Sequence, residues 1–168
     1  ASLAGVGVGG IAVGTMPLLL STGLSDILNK ARITHALCDW RLRDELEVCR
    51  DRAPDLTTIS YFHSTASDGL EALMDGKPTE YTAFDSAIDD VCLIAFTSGT
   101  TGQPKGTMHF HRVLLAICDG FNRMVLRPEP DDIFCGNPPL AFTFGVGAIA
   151  LFQPDAGAEV FLLEKATQ

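Results

Sequence analysis

One apolar run constrains this chain more than any other feature: Val91-Cys92-Leu93-Ile94-Ala95-Phe96, followed at once by Thr97-Ser98-Gly99-Thr100-Thr101-Gly102-Gln103-Pro104-Lys105-Gly106. A near-continuous apolar run of this length reads as a strand buried on both faces, as in parallel sheets. The segment after it is built like a phosphate loop. Gly99, Gly102 and Gly106 relieve the backbone of Cβ clashes, so successive N–H groups can converge on an anion. Thr97, Ser98, Thr100 and Thr101 add hydroxyl donors, and Lys105 adds a positive charge. A rigid strand thus delivers a donor-rich loop.

The flanking segments alternate strand and helix. Residues 11–16 read as a strand closed by Pro17, and Ser21, Thr22 and Gly23 offer capping groups to a helix whose Leu24, Ile27, Leu28 and Ala31 share one face. Residues 36–38 form a short strand, and residues 40–49 a helix with Leu42, Leu46 and Cys49 inward. Residues 57–62 are a β-branched and aromatic strand. Residues 64–87 are polar and irregular, with one short helix at 70–74. Beyond the loop come a strand-like run at 107–110, a helix opened by His111 with Leu114, Ile117, Cys118, Phe121 and Val125 on one face, and a strand at 133–136. A helix at 146–152 stopped by Pro154 and a strand at 159–163 complete the order. Arg123 and Arg127 complement the dipole at the end of the helix that His111 opens. Strands alternating with helices predict an α/β fold with a mostly parallel, doubly wound sheet, and the length predicts one domain over 1–168.

The charge balance narrows the partners. A formal net charge of −9 in 168 residues disfavours a nucleic-acid backbone, which wants a basic face. It leaves room for a nucleotide, because one phosphorylated ligand needs only a local group of donors, and Lys105 is the sole lysine between Lys77 and Lys165. No apolar run reaches the roughly 18 residues of a membrane helix, and residues 1–20 lack a basic leader, so the expected setting is cytoplasmic with no membrane partner. Cys38, Cys49, Cys92, Cys118 and Cys135 are odd in number, widely spaced and without a CxxC pair, which reads as reduced, mostly core thiols. The chain lacks an initiator methionine and opens inside an Ala/Gly-rich stretch, as a piece of a longer protein would.

Four other groups bear on chemistry. Gly5-Val6-Gly7-Val8-Gly9-Gly10 satisfies GxGxxG, yet a strand follows it where the dinucleotide fingerprint needs a helix, so it reads as a helix end or small-residue seam. Asp85, Asp89 and Asp90 precede the central strand at the end facing away from ligands in such sheets, and read as a solvated strand entrance. His109 lies in the strand-like run and His111 opens the helix after it, and no metal ligands are assigned. In Asn137-Pro138-Pro139-Leu140-Ala141-Phe142-Thr143-Phe144-Gly145-Val146-Gly147, the prolines fix the entry and the glycines permit close helix approach. Phe142 and Phe144 there serve either the core or an apolar ligand pocket.

The loop departs from the Walker form, since Lys105 follows a proline and no Ser or Thr comes after it. It resembles instead the signature of the adenylate-forming, AMP-binding superfamily of acyl- and aryl-CoA ligases, luciferases and peptide-synthetase adenylation domains. Gly10-Ile11-Ala12-Val13-Gly14-Thr15-Met16-Pro17 looks like that family's early strand–helix unit, and residues 139–145 look like its acyl-pocket motif. Phe142, with an aromatic two residues on, is similar to benzoate- and 2-aminobenzoate-CoA ligases.

The resemblance implies an ATP-dependent acid–CoA ligase that activates an aromatic carboxylate as acyl-AMP, releases pyrophosphate and transfers the acyl group to coenzyme A, with Mg²⁺ accompanying ATP. It implies that Thr97, Ser98, Gly99, Thr100, Thr101, Gly102, Lys105 and Gly106 hold the nucleotide phosphates, with Lys105 catalytic. It also implies that Phe142, Thr143, Phe144 and Gly145 line the substrate pocket. Segments of the family that carry the adenine contacts and the C-terminal catalytic lysine have no counterpart here. The isolated chain is therefore expected not to turn over, and the alternative is a non-catalytic phosphate-binding or scaffold fragment.

Overall fold

The computed structural model describes residues 2–17, 19–97, 104–136 and 139–162. They form an α/β structure of two compact units. The first holds Thr15–Phe84 with Thr97 and residues 104–106; the second holds Ser2–Gly14, Asp85–Phe96 and the chain from Thr107 on.

In the first unit, β2 (His35–Asp39) and β3 (Thr58–Phe62) run parallel, in register from His35 opposite Thr58 to Asp39 opposite Phe62. The crossover is a 3₁₀ turn at Trp40–Leu42 followed by α3 (Arg43–Arg50), and α2 (Ser21–Lys30) precedes β2. Leu28, Leu46, Cys49, Ala53 and Leu56 make the core, with Leu24, Ile59 and Tyr61 against it. Leu42 is exposed rather than inward, because the 3₁₀ turn puts it ahead of the helix whose period the pattern follows. Ser21 and Thr22 do not cap α2. The helix begins at Ser21, and the carboxylate of Glu45 on α3 accepts the Ser21 N–H at 2.6 Å, meeting an orphan donor and the helix dipole together. The short helix α4 (Leu70–Met74) lies where the sequence places it.

In the second unit, α1 (Ser2–Gly7) passes through a left-handed Gly9 (φ 80°) into β1 (Ala12–Gly14), so the glycine-rich start is a helix end leading into a strand. β1 lies parallel to β4 (Val91–Thr97), with Ala12 opposite Leu93 and Gly14 opposite Ala95, and β5 (Lys105–Phe110) lies on the other side of β4. Cys92, Ala95 and Phe96 of β4 are buried. β6 (Ile133–Cys135) pairs in parallel with β7 (Glu159–Phe161). The parallel pairing follows the strand–helix alternation, while the strands are shared among three small sheets. Residue 163, expected in the last strand, lies outside the described residues.

The helix after β5 departs from its sequence pattern. α5 (His111–Ile117) continues through Cys118–Leu126 with π-type hydrogen bonding, ending on Arg127 N–H to the Asn122 carbonyl at 2.7 Å. The wider turn rotates the inward face, so Cys118 and Asn122 are buried while Phe121 and Val125, placed inward by a 3.6 period, are exposed. Arg127 takes a left-handed conformation (φ 53°), and its Nε donates to the Met124 carbonyl at 3.3 Å, closing the helix end.

Helix α6 (Thr143–Gly145), a second π segment (Val146–Leu151) and α7 (Phe152–Ala156) follow one another. Pro154 does not stop this helix, because it sits in the first turn of α7, where a missing N–H costs little; the stop is Gly157 at φ 73°. Gln153 is buried and its side-chain amide donates to the Ala148 carbonyl.

Candidate functional site

The central strand does what its composition requires. β4 carries buried side chains up to Phe96 and releases the chain at an exposed Thr97, and the chain re-enters the sheet at Lys105 and Gly106, both exposed at the start of β5. Thr97 and Lys105 thus stand at the two shoulders of the glycine-rich segment. Ser98, Gly99, Thr100, Thr101 and Gly102 lie outside the described residues.

One contact at this place was invisible to pattern reading. The ammonium of Lys30, in the last turn of α2, donates to the carbonyl of Pro104 at 2.7 Å across 74 residues of sequence. No periodicity or motif links the two positions; only the fold does.

The motif with two phenylalanines lies in the second unit. Phe142 is the extended residue before α6, and its carbonyl accepts the Val146 N–H at 2.9 Å. Phe142 is 42% exposed and Phe144 is 72% exposed, so neither ring is spent on the core; Thr143 is exposed and Gly145 buried. Gly14, at the end of β1, is the neighbour that holds the motif close. A Cβ on Gly14 would stand 3.2 Å from the Ala141 Cα and 3.6 Å from the Leu140 carbonyl oxygen. Gly14 also pairs with Ala95 of β4, so the phenylalanine motif sits beside the strand that feeds the loop. Asn137 and Pro138 lie outside the described residues.

The residues before β4 are structural. Asp89 pairs with Arg112 at 2.7 Å, the Asp90 carboxylate accepts the Ala87 N–H at 2.8 Å, and the Asp90 carbonyl accepts the His111 N–H at 3.2 Å. These bonds tie the strand entrance to the start of α5. His109 Nε2 is buried and has no hydrogen-bond partner among the described residues. Cys49, Cys92 and Cys118 are buried, Cys38 is half-buried, Cys135 is exposed, and all are free thiols. Burial raises the thiol pKa of Cys92.

A polar cavity of about 240 Å³ in the second unit is lined by Asn122, Arg123, Arg127, Glu129 and Asp155, among others, and includes none of the predicted site residues. Its charges hold the fold: Asp155 binds Arg123 at 2.8 Å and Asn122 Nδ2 at 3.0 Å, and the Arg123 hydrogen bond holds its carboxyl below the usual range. Among the described residues no three His, Cys, Asp or Glu side chains gather to hold a metal ion, and no helix is long and apolar enough to cross a membrane.

Known proteins resemble this chain over much or nearly all of its length. Benzoate–CoA ligase of Thauera aromatica is 26% identical over 161 residues, covering 93% of this chain and 31% of that protein. Anthranilate–CoA ligase of Pseudomonas aeruginosa is 33% identical over 96 residues, covering 55% of this chain and 18% of that protein. The crystal structure of the anthranilate CoA ligase AuaEII in complex with anthranoyl-AMP superposes with a TM-score of 0.92 at 28% identity, over 98% of this chain and 32% of that one. ATP-bound MatB from Rhodopseudomonas palustris shares the fold, with a TM-score of 0.86 at 23% identity over 99% of this chain and 32% of that one. The chain thus spans at most about a third of the length of these proteins. The model of the AMP-binding enzyme family matches residues 1–168, and this chain belongs to that family of adenylate-forming enzymes.

Proposed function

We propose that this chain is part of the nucleotide-binding N-terminal domain of an aryl-CoA ligase, which activates an aromatic carboxylate with ATP and passes it to coenzyme A in the cytoplasm. The observation that carries the reading is the superposition of 98% of the chain on a ligase holding anthranoyl-AMP. The exposed Phe142 and Phe144 supply the apolar, aromatic surface that a benzoate-like ring needs.

The chemistry accounts for the residue types. A carboxylate oxygen attacks the α-phosphorus of ATP, the bond to the bridging oxygen breaks, and the electron pair leaves with pyrophosphate. Charge grows on the leaving group, so donors aimed at the β- and γ-phosphates lower the barrier. Ser98, Thr100, Thr101 and the backbone of 99–102 are assigned to those oxygens, with Thr97 and Gly106 at the shoulders and Lys105 neutralising charge. The thiol of coenzyme A then displaces AMP from the acyl-adenylate. Mg²⁺ bound to ATP screens the phosphate charge; its ligands are not assigned to this chain. Phe142 and Phe144 flank the ring, and Thr143 and Gly145 are assigned to the same pocket.

The test is pyrophosphate exchange by the full-length protein with benzoate, 2-aminobenzoate and a long-chain fatty acid in parallel. Exchange with the aromatic acids well above the fatty acid supports the reading; the reverse order overturns the substrate class. The 168-residue chain alone is the opposite case. It spans too little of the relatives' length to hold a complete site, so calorimetric titration with MgATP should show weak or no binding and no exchange.

A further inference from the structure

The contact of Lys30 with Pro104 does more than join two surfaces. Pro104 directly precedes Lys105, and its ring fixes φ near −65° by covalent geometry. The remaining freedom of that residue is ψ, which sets where its carbonyl points and in which direction the chain enters Lys105. A donor held on the Pro104 carbonyl oxygen therefore restricts the one soft dihedral left at this hinge.

Lys30 is well founded for this work. It rides on α2, whose Ile27 and Leu28 are 5% and 4% exposed, and the neighbouring Asn29 side chain donates to the Arg52 carbonyl at 2.8 Å. The helix end is thereby fixed in the first unit, to which Pro104 and Lys105 also belong. At the last turn of α2 a cationic side chain is also favoured by the helix dipole.

The geometry points to Lys30 as a positioning residue for the phosphate-binding segment: it fixes the Pro104 carbonyl, and so the direction in which Lys105 enters β5. This rests on the assignment of Lys105 to the nucleotide phosphates. Lys30 acts through the backbone, so it contributes pre-organisation for ATP binding rather than a group in the chemical step.

The experiment compares Lys30→Met and Lys30→Arg with the parent in the full-length protein, by two readouts. Hydrogen exchange over a peptide spanning 104–108 reports the hinge directly: Lys30→Met should speed exchange at the Lys105 and Gly106 amides, and Lys30→Arg should restore the parent rate. In pyrophosphate exchange, Lys30→Met should raise KM for MgATP roughly five- to twenty-fold with kcat within about twofold, as for loss of a charge-assisted hydrogen bond partly screened by water. Unchanged amide exchange in Lys30→Met overturns the proposal and leaves Lys30 a solvated surface charge. A fall in kcat at constant KM also overturns it, in favour of a role in the chemical step. If the parent catalyses no exchange with any acid, the functional reading fails, while amide exchange still decides the role of Lys30.

Discussion

Asp39 is gripped from two sides by Arg41: the guanidinium donates to both carboxylate oxygens, at 2.9 and 2.6 Å, and the Arg41 backbone N–H adds a bond at 2.9 Å. His63 Nδ1 donates to the same carboxylate at 2.9 Å from a left-handed backbone (φ 56°) just past β3. The side chain of Asp39 is only 10% exposed, so the group joins the C-terminal ends of β2 and β3 through charge. The Arg41 hydrogen bond is the largest cause holding the Asp39 carboxyl far below the ordinary range, with the Arg41 N–H and His63 adding to it against the effect of burial.

The pH dependence follows from that direction. A carboxyl whose folded pKa lies below its unfolded value, about 3.9, stabilises the fold above that pH and loses the contribution as pH falls through and below it. The denaturation midpoint should therefore decline below about pH 4, and Asp39→Asn should be less stable at pH 7 with a flatter acid limb. Parallel acid limbs in the two proteins would contradict the role of this carboxylate.

Lys105→Ala tests the charge assigned to the leaving group. Removing a donor aimed at charge that grows in the transition state costs on the order of 3–4 kcal/mol, so pyrophosphate exchange should fall by roughly two to three powers of ten. Thermal stability should barely move, since Lys105 is exposed. Wild-type exchange in the variant would remove Lys105 from the mechanism.

Gly14→Val tests the approach of β1 to the phenylalanine motif. Branched carbons at a site where even Cβ stands 3.2 Å from Ala141 must push the 140–141 backbone away. The expected result is a raised KM for the aromatic acid with a smaller change for MgATP. Equal effects on both would mean a general disturbance of the sheet.

Asn122→Leu tests the join between the π segment and α7. Asn122 is fully buried, and its amide donates to the Phe152 carbonyl and to Asp155, both at 3.0 Å. Leucine removes both bonds, at a cost of about 1–3 kcal/mol in urea denaturation. Undiminished stability would show that the lost bonds are replaced from elsewhere.

Much of the fold was legible because local chemistry and tertiary packing agree. The apolar run at β4, the β-branched run at β3 and the short helix at 70–74 form the elements that the sequence places there, and β4 buries Cys92, Ala95 and Phe96 as its composition requires. The failures share a cause. The π turns of Cys118–Leu126 bury Asn122 rather than Phe121 or Val125, since the face depends on hydrogen-bond register, which side-chain hydrophobicity does not specify. The start of α2 is met by Glu45 and not by its own serine or threonine, because the partner comes from another helix.

The sequence by itself determined the family, because its signature is made of consecutive residues whose types can be read in order. It also determined the parallel α/β character, which follows from alternating periods. Only the tertiary structure decided that Lys30 reaches Pro104 and that Gly14 lies under Ala141. Both depend on distances between segments far apart in the chain, set by how α2 and β1 are packed and paired, and no local pattern encodes such a distance.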